Sequence, residues 1–413
     1  MFYKRTLDNG IRVVAEKMPH LRSVTVGIWF GAGSVREKDC ENGISHFIEH
    51  MLFKGTSKRT AKQIAAEMDA IGGQLNAFTS KECTCYYARV MDERIETGLD
   101  ILSDLVCNSR MDGEEMQKEK GVVLEEIAMV EDTPEDLVHE LLAKSFFDGH
   151  PLARTVLGPA ANIAGFNRGD LQDYMQRYYS ADNMVVSIAG NFEMDKAMDL
   201  IDKYLGDMQK GKAHQFDFPA HANGSADSKR EKDTEQIHLC LGFPGFGQDT
   251  PENYALNVLN NVFGGSMSSW LFQSIREERG MAYSIYSYPS AYSATGMFTI
   301  YLGTKPGNAE EAYSVILEQI DLLKKQGITD EEFSQGKEQL KASYILGQES
   351  SSSRMISLGK SELLLGRTFS ERDMLDRIES VDRDSVRDIV PQVFDERKMC
   401  RAMVGKIGDV PIF

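Results

Sequence analysis

Histidine is scarce in this chain, with 8 among 413 residues, and its six cysteines (Cys40, Cys83, Cys85, Cys107, Cys240 and Cys400) include no C-x-x-C pair. Scattered, unpaired thiols fit a reducing compartment rather than a disulfide scaffold. Cys83 and Cys85 fall on one side of a strand and read as packing residues rather than as a second metal site. Basic residues are also in deficit: 46 Lys and Arg against 63 Asp and Glu give a net charge of −17. That leaves no surplus to neutralise phosphates and excludes nucleic acid as a partner. No stretch approaches the roughly 20 apolar residues of a membrane span. The opening M-F-Y-K-R-T-L-D-N-G lacks the apolar core of a secretory signal. The expectation is a soluble, cytoplasmic protein with no membrane partner.

What is present is ample apolar content, 42% of residues, in a chain too long for one ordinary core. Residues 3–17 read as a hairpin about Asp8-Asn9-Gly10, and 23–30 as a strand. A helix spans about 60–71 and stops at Gly72-Gly73, strands occupy 74–90, and a helix over 93–108 places Ile95, Leu99, Leu102 and Val106 on one face. A helix over about 112–130 carries a run of acids, another starts near Pro134, and M-V-V-S-I-A-G is a later strand.

The stretch G-I-S-H-F-I-E-H-M-L-F-K-G, residues 43–55, organises the rest. Ile44, Phe47, Ile48, Met51 and Leu52 recur at helical spacing, with Ser45 or Asn42 available as the cap. His46 and His50 are four residues apart, so both imidazoles lie on one face and can grip a single metal ion. Glu49 sits beside them, placed to take a proton from a metal-activated water without being a ligand. That is the division of labour of a hydrolytic zinc site. H-x-x-E-H is the inverted zincin signature.

Together with N-A-F-T-S at 76–80 and E-E-I at 125–127, the motif resembles the pitrilysin and insulinase family of metallopeptidases, most of all its short-chain branch that includes the catalytic subunit of mitochondrial processing peptidase. The resemblance implies one Zn2+ per chain held by His46, His50 and Glu126. Glu126 lies in the apolar context V-V-L-E-E-I, where a carboxylate needs a partner. Glu119, two turns earlier, matches a family glutamate that supports the site from outside. Arg276 and Tyr283, in R-E-E-R-G-M-A-Y, match an Arg and a Tyr that contact substrate. Peptide is expected as an added strand along Leu75, Asn76, Ala77, Phe78 and Thr79. Phe53 matches an aromatic lining the pocket after the scissile bond. Asp136 and Glu140 match acids that bind an arginine before it, although an exposed acidic pair is often only a solvated face. His139 and the remaining histidines have no spaced partner and read as structural or exposed.

The second half repeats the first. E-E-M-Q-K-E-K at 114–120 pairs with E-E-F-S-Q-G-K at 331–337, M-L-F-K-G-T at 51–56 with N-V-F-G-G-S at 261–266, and V-T-V-G-I-W-F with I-H-L-C-L-G-F. Superposed, these place Leu256, Leu259 and Asn260 where His46, Glu49 and His50 stand, and Ser343 opposite Glu126. The fold expected is α+β: two homologous domains, 1–206 and 235–413, each a mostly antiparallel sheet packed with helices, joined by a polar linker at 207–234. Only the first holds metal ligands. The leading expectation is a zinc endopeptidase for short or unfolded peptides, working in a chamber closed by two chains as a homodimer, or as a heterodimer with a related chain. The alternative is a non-catalytic partner or scaffold subunit.

Overall fold

A computed structural model describes residues 2–211 and 226–408. The chain forms two compact units: Met1–Ile127, Arg154–Phe216 and Leu346–Ser370 in the first, and Ala128–Ala153, Asp217–Ile345 and Glu371–Phe413 in the second.

The first unit is built on strands β1 (Phe2–Thr6), β2 (Arg12–Lys17), β3 (Ser23–Phe30), β4 (Gln74–Thr79), β5 (Thr84–Met91) and β6 (Met184–Gly190). They lie in the order β1-β2-β6-β3-β5-β4. All neighbours are antiparallel except β2 and β6. In the first hairpin only Gly10 takes the left-handed conformation, with φ 99°. Asn9 instead uses its side chain, accepting from Ile11 N–H and donating to the Leu205 and Gly206 carbonyls.

Period-two alternation explains how this sheet serves two cores. Val24, Val26, Ile28 and Phe30 of β3 join Ile48, Leu99, Leu102 and Ile201 from the helices Ile44–Leu52, Ile95–Asn108 and Met194–Leu205. Trp29 faces the other way and packs with Val14, Cys85 and Val185 against Met355 and Leu358 of the helix Ser351–Leu365. That helix approaches so closely that a Cβ on Gly359 would lie 2.1 Å from Trp29 Nε1. The indole N–H donates to Ser187 Oγ at 2.8 Å.

The second unit contains β7 (Ser228–Glu231), β8 (Ile237–Gly245), β9 (Ala282–Ala291), β10 (Gly296–Thr304) and β11 (Cys400–Gly405), in the order β7-β11-β8-β10-β9. Its one parallel pair is β7 and β11. Adding five to each label of β2-β6-β3-β5-β4 reproduces this order and its parallel pair, so the duplication is exact in topology, with β1 as an addition to the first copy. Half of the expected linker, 212–225, lies outside the described residues. Within its remainder, Ser228–Glu231 pairs as a strand rather than forming a connector.

The units do not follow the expected boundaries at 206 and 235. The helix Pro134–Phe146, from the first half, belongs to the second unit and packs on β8 and β11. The equivalent helix of the second half, Ser351–Leu365, belongs to the first unit and packs on β3 and β6. The halves thus exchange one helix each. Both faces of a central strand must be covered, and the apolar side chains that cover the second face come from the other half of the sequence.

Candidate metal and catalytic site

The helix Ile44–Leu52 buries Ile44, Phe47, Ile48, Met51 and Leu52, which turns His46, Glu49 and His50 toward its half-buried side. Its cap differs from the expected Ser45 or Asn42. The N-terminal residue is Gly43, with φ 99° and no capping side chain of its own. The orphan N–H groups of Gly43 and Ser45 instead donate to the buried carboxylate of Glu37, at 2.8 and 2.9 Å, and Asn42 donates its amide to the same group. Glu37 is the residue sequence reasoning missed. Among the charges of S-V-R-E-K-D-C-E-N-G, residues 34–43, nothing distinguishes it from Asp39 or Glu41.

His46 Nε2 and His50 Nε2 are 3.2 Å apart, and Glu126 Oε2 lies 3.6 Å from each. Glu126 comes from the helix Gly113–Asp132, on which the neighbouring Glu125 is exposed. Zinc donors at about 2.0–2.1 Å and tetrahedral angles stand about 3.3–3.4 Å from one another. The triangle of 3.2, 3.6 and 3.6 Å therefore fits one such ion, and these three residues can hold a metal together. Burial, and then the neighbouring His50, lower the His46 pKa to about 4, so this imidazole is neutral and able to coordinate at physiological pH. His50 Nδ1 is 2.9 Å from Glu119 Oε1, and the other Glu119 oxygen is 2.6 Å from Lys54 Nζ.

Glu49 stands beside the triangle without joining it. Its Oε2 accepts from Thr79 Oγ1 at 2.5 Å. Burial pushes the Glu49 carboxyl above its ordinary pKa, while the Thr79 hydroxyl and the nearby His50 act in the opposite direction. Thr79 ends β4, which pairs only with β5 and forms one edge of the sheet. Leu75, Asn76, Ala77 and Phe78 lie on the same strand, Asn76 exposed and the others half-buried. The Asn76 side chain accepts from the Ala77 N–H at 2.8 Å. Phe53 follows the metal helix directly and packs half-buried on the core.

The remaining expected residues lie in the second unit. Arg276 sits in a π-helical turn, Phe272–Glu277, a distortion frequent at functional positions. Its guanidinium lies 4.8 Å from the ring centres of both Phe272 and Tyr283, and it donates to the Tyr283 carbonyl at 2.8 Å. Tyr283, on β9, is 74% exposed. That strand is the counterpart of β4. Asp136 and Glu140 share the helix Pro134–Phe146, the first exposed and the second half-buried. His139 between them is within hydrogen-bond distance of the hydroxyls of Tyr286 and Tyr288, at 3.3 and 2.9 Å. The positions of the second half that correspond to His46, Glu49 and His50 are filled inertly: Leu256 and Leu259 are fully buried, and Asn260 accepts from Ser287.

Residues 12–160 match the sequence model of insulinase (peptidase family M16), and residues 165–340 match the model of the peptidase M16 inactive domain. An uncharacterized zinc protease of Bacillus subtilis, YmxG, is 45% identical over the whole of both chains. An uncharacterized zinc protease of Streptomyces coelicolor is 38% identical, covering 98% of this chain and 90% of its own. Among solved structures, a protease from Helicobacter pylori superposes with a TM-score of 0.91 at 21% identity, covering 98% of this chain and 99% of that one, which is a likeness of fold. No helix among the described residues is long and apolar enough to cross a membrane.

Proposed function

Because the chain belongs to the insulinase family of M16 zinc metallopeptidases, we propose that it is an endopeptidase that takes short or unfolded peptides as an added strand along β4, with Glu49 as its general base. The observation that carries this reading is the Thr79–Glu49 hydrogen bond. It ties the end of an open sheet edge to the carboxylate beside the metal triangle, so a peptide laid along that edge runs past the base. An edge strand offers main-chain donors and acceptors to any extended partner, which suits substrates without fixed structure.

His46, His50 and Glu126 would hold the zinc. Three protein donors leave one tetrahedral position for water or substrate, the arrangement of a catalytic site. Zinc supplies Lewis acidity that polarises the peptide carbonyl and acidifies water. Glu49 accepts the proton of the attacking water and returns it to the leaving nitrogen. Its burial raises its basicity toward the range useful at neutral pH. Arg276 and Tyr283 would serve as donors to substrate, Asp136 and Glu140 would read a basic side chain before the scissile bond, and Phe53 would line the pocket after it. The working unit would be a homodimer enclosing a chamber. A non-catalytic subunit, the competing reading, has no need of the intact set His46, Glu49, His50 and Glu126.

Strand addition has a direct test. Backbone N-methylation at alternate residues of an unstructured peptide substrate should abolish cleavage, and methylation at the intervening residues should be tolerated, because only every second N–H faces the sheet edge. Uniform tolerance along the peptide would rule out strand addition.

A further inference from the structure

We infer that Lys54 is a positioning residue for the zinc site: it holds the Glu119 carboxylate in place, and Glu119 in turn fixes the His50 ring with Nε2 toward the metal. This rests on the zinc reading above.

The two histidines are supported unequally. His46 Nδ1 is buried without a hydrogen-bond partner among the described residues. His50 Nδ1 faces Glu119 Oε1 at 2.9 Å, and Glu119 is only 4% exposed. A carboxylate so enclosed needs both oxygens satisfied, and the second is met by Lys54 Nζ at 2.6 Å. Lys54 follows His50 by four residues, just beyond the helix end at Leu52. An ionised carboxylate can only accept, so the ring nitrogen facing it must carry the proton, which leaves the Nε2 lone pair free for the metal. Lys54 therefore acts on the tautomer and orientation of His50 through Glu119. Without it, one Glu119 oxygen loses its donor and the carboxylate is no longer tethered at the distance that orients the ring.

The sign of the effect separates this role from simple electrostatics. An ammonium near a dication repels it, so removing the charge of Lys54 should tighten zinc binding if Coulomb repulsion is all that matters. The relay requires the opposite. Zinc-stripped full-length protein is titrated with zinc against a chelator of known affinity, for the wild type, Lys54→Met, Lys54→Arg, Glu119→Gln and the double variant Lys54→Met/Glu119→Gln. Supporting contacts of this kind affect metal affinity by about 10–100-fold. Lys54→Met should weaken zinc binding by about tenfold and Lys54→Arg should recover most of the loss. In the Glu119→Gln background the Lys54→Met change should have less than about a twofold effect, because its route to the metal is already cut.

An unchanged or tighter affinity in Lys54→Met would overturn the inference. So would an equal loss in both backgrounds, which would mean that Lys54 acts by another path. A wild-type chain unable to bind zinc defeats the zinc reading itself, so the two failures are distinguishable.

Discussion

Replacing Thr79 with Val removes the hydroxyl that donates to Glu49 and leaves a side chain of nearly the same shape and strand preference. The bond is 2.5 Å long, and Glu49 lies in a site where burial is the dominant influence on its carboxyl, raising the pKa. The hydroxyl stabilises the ionised form and so lowers the pKa; its removal can only raise it further. Catalysis needs the ionised base, so the acid limb of the kcat/KM profile must move to higher pH, with activity well above the limb little altered. A hydrogen bond to a charged group contributes about 1.5–3 kcal/mol, and 1.36 kcal/mol corresponds to one pH unit. Because half-buried Thr79 leaves room for water to substitute in part, the displacement should be about one unit. The assay is kcat/KM on an unstructured peptide across pH, with Thr79→Ser as the control that keeps the hydroxyl and the wild-type limb. A limb that stays put or moves to lower pH in Thr79→Val refutes the assignment of Glu49 as the titrating base.

Three further outcomes follow from the same structure. If Asp136 and Glu140 read a basic side chain, neutralising both should reduce cleavage of Arg-containing peptides far more than of neutral ones, and wild-type preference should fade with salt; equal losses on both peptide sets would return the pair to a solvated face. If the homodimer shares its sites, Glu49→Gln and Tyr283→Phe chains should each be nearly inactive alone but regain about a quarter of wild-type activity after subunit exchange, since half the dimers are mixed and one of their two sites is intact; no recovery despite demonstrated exchange would refute sharing. Residues 1–206 expressed alone should aggregate, because Trp29, Val14 and Val185 lose the cover of Met355, Leu358, Leu363 and Leu364, each worth about 1.5–3 kcal/mol when buried. A peptide spanning 346–370 should restore the cover over Trp29 and shift its fluorescence to the blue, and a soluble, cooperatively folding 1–206 fragment without it would contradict the exchange of helices.

Local pattern carried much of this architecture. The metal helix, β3 and the strands around residue 80 announce themselves because their apolar periods are short and unambiguous, and the internal repeat anticipates the matching strand orders. Glu126 could be chosen over Glu125 because it matched the third ligand of the family, and the structure turns Glu126 inward and leaves Glu125 exposed. What sequence could not convey depends on contacts between distant segments. Glu37 caps a helix it does not belong to, and nothing in its neighbours marks it as an acceptor for Gly43 and Ser45. The helix Ser351–Leu365 shows an ordinary amphipathic pattern, which says that one face is buried but not that it is buried on β3 and β6. The exchanged helices therefore displaced the domain boundaries that linear reading suggested.

The most direct test of the account is Glu49→Gln. The substitution keeps size and hydrogen-bonding shape and removes only the proton acceptor, while His46, His50 and Glu126 are untouched. The purified variant should hold about one zinc per chain, as the wild type should, and lose peptide cleavage by at least about a hundredfold. A zinc-loaded variant that cleaves at the wild-type rate would place the catalytic base elsewhere.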